Sequence, residues 1–181
     1  MPKYNRIILK VSGEALAGPK KTGLDDETIG LISDQIKIAV DMGVQVAIVI
    51  GGGNFWRGRS ADSNMDRTKA DQIGMLATVM NAIYVADAFR QNGIKAFVQT
   101  PIMIGTMTEM FSKESAIAHL EKGEVVIFAA GKNKCEIYCC KNSAEKLFRR
   151  IFAYRYFIVG ISLIVFFCVT RNVTCVFQLI P

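Results

Sequence analysis

Cysteine is missing from the first 131 residues, histidine occurs once (His119), tryptophan once (Trp56), and no aspartate follows Asp87. A body without cysteine has no disulfide framework and fits a reducing compartment, the cytosol. The opening MPKYNRIILK lacks an apolar core of signal-peptide length. Neither G-x-x-x-x-G-K-[ST] nor G-x-G-x-x-G occurs, so the two commonest nucleotide-loop patterns are excluded. Internal repeats and low-complexity tracts are also lacking. At 181 residues with 51% hydrophobic content, the chain suits one globular domain and is neither a disordered tail nor a fibre.

What is present divides at Gly131. Fourteen basic and fourteen acidic residues precede the division, whereas eight basic and two acidic residues (Glu136, Glu145) follow it, so the whole +6 lies in the last fifty positions. All five cysteines follow Gly131 and all eight methionines precede it. The body, 1–131, is therefore neutral, and the pI near 9.1 is no sign of nucleic-acid binding.

Within the body, Ile7 to Val11 reads as a buried strand turning at Ser12 and Gly13. A helix follows with Ile29, Ile32, Ile36 and Ala39 on one face, Asp25 or Asp26 as N-cap and Gly43 past its end. Val44 to Ile50 is a β-branched run that enters Gly51, Gly52 and Gly53 directly. After a polar loop, Arg57 to Ser63, a long helix places Ile73, Leu76, Ala77, Met80, Ile83 and Tyr84 at three-and-four spacing and closes at Gly93. Lys95 to Gln99 is a strand, Ile102 to Met107 a small β excursion, Ser112 to Lys122 a capped helix, and Val125 to Ala130 a further core strand. This alternation predicts an α/β fold with a mainly parallel sheet and helices on both faces.

Four features bear chemistry. Lys10 interrupts an apolar strand, and either reaches a phosphate at the strand's carboxyl end or lies in solvent on an edge strand. The triple glycine lets a backbone approach an anion and aim N–H groups at it; its bland alternative is a turn needing positive φ. Arg57 is spaced to fork onto phosphate oxygens, or is a solvated loop charge. Asp71 either caps the long helix or accepts hydrogen bonds from ribose hydroxyls. His119, on a short helix among Ser, Ala and Leu, is assigned no catalytic role.

Three segments, ILKVSGEAL (8–16), VIGGGNFWRG (49–58) and MDRTKADQIGMLATVMNAI (65–83), resemble the bacterial uridylate kinases of the amino acid kinase superfamily. The resemblance covers about residues 1–131 and implies a three-layer αβα sandwich that transfers the γ-phosphoryl group of ATP to UMP with Mg²⁺. It also implies a cytoplasmic homohexamer regulated by GTP and UTP. By position, Lys10, Val11, Ser12 and Gly13 would line the ATP phosphates, with Lys10 catalytic. Gly53 and Arg57 would face ATP, and Gly52 and Asp71 would bind UMP. The loop Lys20 to Asp25, with Gly23 and Asp25, would correspond to the effector region, although its lysines depart from the commoner pattern. Trp56 stands where Phe is usual. The resemblance supplies UMP, ATP and a homo-oligomer as partners, and neither nucleic acid nor a membrane.

After Gly131 the family continues Thr-Gly-Asn-Pro-Phe-Phe and a second half; here KNKCEIYCCKNSAEKLFRR follows, so the expected carboxyl-terminal half is missing or replaced. The expectation is a kinase with little activity as written, or an inactive nucleotide-binding or oligomerisation module. A shifted reading frame is the first account of 132–181. A membrane anchor at Phe157 to Val169 is the second, and it falls short of spanning length. Metal binding by Cys135, Cys139 and Cys140 is the third, without paired C-x-x-C spacing. The tail's apolar run beside an incomplete sheet also predicts aggregation.

Overall fold

The structure, a computed structural model, describes residues 5–57 and 65–131 and two short strands, Leu163–Phe166 and Val176–Leu179. The loop beyond Arg57 and most of 132–181, including the cysteines, lie outside the described residues. Of the run read as a membrane anchor, only 163–166 is described, as a strand paired antiparallel with 176–179.

In chain order the elements are β1 (Arg6–Val11), α1 (Gly13–Ala17), a 3₁₀ turn (Gly18–Lys20), α2 (Asp26–Asp41), β2 (Gln45–Ile50) and α3 (Arg67–Gln91). There follow β3 (Ala96–Thr100), β4 (Glu109–Met110), α4 (Lys113–Glu121), β5 (Val125–Phe128) and a separate two-stranded sheet, β6 (Leu163–Phe166) and β7 (Val176–Leu179). The five strands β1 to β5 form one all-parallel sheet in the order β1-β2-β5-β3-β4. Because β5 inserts between β2 and β3, the residues leaving β1, β2 and β5 are neighbours: Ser12–Gly13, Gly51–Gly53 and Ala129–Gly131.

Two apolar layers sandwich the sheet. Ile29, Ile32 and Ile36 of α2 and Met75, Val79, Ala82 and Phe89 of α3 pack with Leu9, Val46, Ile48, Val98 and Ile127 on one face. Ala116 and Leu120 of α4 cover Ala47, Val126 and Phe128 on the other. The alternation of Val125 and Ile127 with Val126 and Phe128 shows why β5 reads as a continuous apolar run: it is buried on both faces. This is the expected three-layer α/β arrangement.

Capping follows local rules. Asp25, not Asp26, caps α2 by accepting from the Thr28 N–H at 3.0 Å, and Ser112 caps α4 through the Ser115 N–H at 3.2 Å. Gly43, Gly93 and Gly123 close the helices with φ of 80°, 76° and 73°.

Five expectations need correction. First, β1 is an edge strand of this sheet, with only Leu9 and Val11 buried, not a strand buried on both faces. Second, a short helix, α1, replaces the turn at Gly13, because Ser12 accepts from the Ala15 N–H and nucleates one turn. Third, Ile102 to Met107 is not a strand; the extra pairing lies at Glu109–Met110. Fourth, the last core strand ends at Phe128, since Ala130 takes φ 57°. Fifth, α3 is rotated from the expected phase: Ile73, Leu76, Met80 and Tyr84 are exposed. The buried positions are Ala70, Met75, Ala77, Val79, Asn81, Ala82, Val85, Ala86 and Phe89. By length and composition α3 could cross a membrane, but this buried face makes it a core helix.

Candidate functional site

The site is built where backbones touch. A Cβ added to Gly13 would lie 2.6 Å from the Gly53 nitrogen, and one on Gly51 would lie 3.2 Å from the Gly13 nitrogen. A Cβ on Gly52 would lie 2.9 Å from both Ala77 Cβ and the Thr78 nitrogen of α3. None of Gly51, Gly52 and Gly53 has positive φ, so the bland turn reading of the triplet fails. Absence of a side chain is needed for close approach, and at Gly51 and Gly52 what approaches is the protein's own backbone.

This packing leaves donors available. Gly51 N–H is spent on Val11 O at 2.8 Å, but among the described residues the N–H groups of Gly52 and Gly53 find no acceptor. The first N–H groups of α1, at Gly13 and Glu14, are likewise left open by the helix geometry. Unpaired amides gathered between two touching turns are suited to an anion.

Charge is arranged around these amides. Lys10 pairs in register with Val49 and shares the α4-facing side with Ile8; it is half-buried at the end of an edge strand. Arg57 Nη2 meets Glu14 Oε1 at 2.6 Å, and its Nε donates to Gly53 O at 3.4 Å, so the guanidinium bridges the two glycine turns. Asp71 does not cap α3. Asp66 does, through the Lys69 N–H at 3.1 Å, and Asp71 lies half-buried one turn into the helix. Trp56 Nε1 donates to Ala70 O at 2.8 Å, a bond that phenylalanine cannot make, and so ties the glycine loop to the helical turn carrying Asp71.

The 18–25 loop joins the site through Gly23, not Asp25. Gly23 (φ 72°) donates to Asn54 O at 3.2 Å, and its carbonyl accepts from Asn54 Nδ2 at 2.6 Å. Asp25 is spent locally on Thr28 and on Lys20 Nζ at 3.2 Å. Hydrogen bonds from the Thr28 hydroxyl and N–H hold its carboxyl below the ordinary aspartate range.

Sequence reasoning missed Asn54, Asn81, Thr78 and Glu14. Asn54 and Asn81 are 4% and 0% exposed and bond each other reciprocally at 3.0 and 2.7 Å. Thr78 Oγ1 accepts the N–H of left-handed Ala130 at 2.8 Å and thereby pins the exit of β5 to α3. A signal did exist: polar residues inside the apolar helical stretch MLATVMNAI demand buried partners. His119 belongs to α4, stacked on Phe97 at 3.9 Å and bonded to Glu124 at 2.7 Å. Among the described residues no group of three or more His, Cys, Asp or Glu could hold a metal ion.

The model of the amino acid kinase family matches residues 5–147. Over 131 residues the chain is 49% identical to uridylate kinases from two Streptococcus thermophilus strains, an alignment spanning 72% of this chain and 54% of theirs. It superposes on a UMP kinase from Bacillus anthracis with TM-score 0.69 and 33% identity, covering 75% of this chain and 57% of that one. A UMP kinase from Ureaplasma parvum gives TM-score 0.67 and 30% identity, with 76% and 60% covered. The chain thus spans about half the length of the curated relatives it matches.

Proposed function

The chain belongs to the amino acid kinase family, and from that premise we propose that its described residues form the phosphate-gripping part of a uridylate kinase. In that reaction an oxygen of the UMP phosphate attacks the γ-phosphorus of ATP, the bond to the β-phosphate oxygen breaks, and UDP and ADP result. The observation that carries the reading is the cluster of unspent N–H groups at Gly13, Glu14, Gly52 and Gly53, flanked by Lys10 and Arg57. Phosphoryl transfer asks a protein mainly to position two nucleotides and to offer positive charge and donors to spreading negative charge.

Lys10, Val11, Ser12, Gly13, Gly53 and Arg57 serve ATP in this reading, with Lys10 acting on the transferred charge; Gly52 and Asp71 serve UMP. Arg57 exchanges Glu14 for phosphate when nucleotide arrives. Mg²⁺ would supply neutralisation of the phosphate charge. GTP and UTP act through the 20–25 loop, which the Gly23 clamp supports. The exposed stripe Ile73, Leu76, Met80 and Tyr84 supports a homo-oligomer, and the cysteine-free body supports the cytoplasm.

A coupled assay of ADP release from ATP and UMP tests the proposal. Turnover that falls about 10²–10³-fold in Lys10→Ala is expected, the scale of losing one charge-stabilising group. A second reading is a module that binds nucleotide without turnover, since KNKCEIYCC follows Gly131 where the family's pattern continues differently. Binding of UMP and ATP with no ADP formed selects it, and absence of binding overturns both.

A further inference from the structure

The Asn54–Asn81 pair stands apart from the groups assigned to nucleotide. Asn54 Nδ2 faces Gly23 O at 2.6 Å and Asn81 Nδ2 faces Gly51 O at 2.7 Å. Carbonyl oxygens only accept, so both amide orientations are dictated from outside the pair. The remaining amide groups then close on one another at 3.0 and 2.7 Å. Asn54 also backs the first turn: a Cβ on Gly13 would lie 2.3 Å from Asn54 Oδ1. Four segments therefore meet at two buried amides: the β1–α1 turn, the 18–25 loop, the triple-glycine turn and α3.

A polar pair wholly out of water is costly unless satisfied, and the cheaper apolar packing is used at Ala77 and Val85, one turn away on either side of Asn81. The amides thus supply something apolar contact does not, namely direction for the peptide planes of Gly51 and Gly23. We infer that the Asn54–Asn81 amide pair is a positioning element that locks the triple-glycine turn and the 18–25 loop into one geometry, so that nucleotide affinity depends on two asparagines too buried to touch nucleotide. The inference rests on the kinase reading for its ligand, and on hydrogen bonds alone for its geometry.

The test uses the full chain. Trp56, the sole tryptophan, is bonded to α3 beside the turn and reports UMP and ATP titrations by fluorescence. Asn81→Asp removes the donor to Gly51 O, and Asn54→Asp removes the donor to Gly23 O while keeping an acceptor for Asn81. Each is expected to weaken nucleotide binding at least tenfold. Ser33→Ala, which removes the buried acceptor of the Asn92 side chain at 3.1 Å, controls for destabilisation and leaves affinity unchanged. A second readout needs no ligand: amide exchange at Gly23 accelerates in Asn81→Asp, although Asn81 is not bonded to Gly23. Should a buried carboxylate unfold the chain, the Asn54→Ala/Asn81→Ala double variant carries the same expectations. Lower melting temperatures with wild-type affinity and wild-type Gly23 exchange overturn the inference. If the unaltered chain binds neither UMP nor ATP, the kinase reading fails, and Gly23 exchange alone decides the positioning role.

Discussion

Gly52 shows how a single missing methyl group sets the site. Its α-carbon lies so close to α3 that alanine would press on Ala77 Cβ and the Thr78 nitrogen at 2.9 Å, and the latter is backbone that cannot swing aside. Gly52→Ala should cost roughly 1–3 kcal/mol, read from the urea midpoint at unchanged slope. Asp25 makes a different local contribution. Its carboxyl is held below its ordinary pKa, first by the Thr28 hydroxyl and then by the Thr28 N–H. A depressed folded-state pKa stabilises the fold above the unfolded value, and that stability is lost as pH falls through the depressed one. Asp25→Ala should therefore melt below wild type at neutral pH, and the gap should close on acidification; a gap constant with pH would remove the carboxylate from the account. Asp25 was readable as a cap because capping is a contact within three residues. The Gly52 contact spans 25 positions and leaves no trace in local pattern.

Helices α2 and α4 begin and end where caps and glycines put them. Helix α3 lies where its spacing predicts but turns a different face inward, because apolar residues occur almost all round it and periodicity cannot choose among several apolar stripes. Close packing chose instead, with alanines at 70, 77, 82 and 86 turned inward so that the helix can approach the sheet and Gly52. Substitution separates the two phases. Phe89, fully buried, should lose about 3–5 kcal/mol on change to alanine. Met80, 53% exposed, should stay within about 0.5 kcal/mol when chemical denaturation is compared at low protein concentration. A large Met80 loss there would put the Ile73–Leu76–Met80–Tyr84 stripe against the core instead.

At the scale of the molecule, the parallel sheet and its two helical layers place the carboxyl ends of β1, β2 and β5 side by side, and a nucleotide bound at the proposed site would couple to the whole fold. Ligand present at a hundred times its Kd adds about 2.7 kcal/mol, which raises the melting temperature by on the order of 5–10 °C for a chain of this size. UMP should produce such a shift in a thermal scan, and an unshifted transition at saturating UMP would count against the proposed site. The α/β alternation, the caps of α2 and α4 and the glycines that close the helices are legible in the sequence alone, since each is written in periods or spacings of a few residues, and Lys10, Gly52, Gly53 and Arg57 stand out there as candidates. Long-range packing alone puts β5 between β2 and β3, makes β1 an edge and turns the α3 alanines inward. It also pairs Asn54 with Asn81, 27 positions apart. Those outcomes depend on which distant backbones can touch and which buried amides must find partners, and local pattern carries neither constraint.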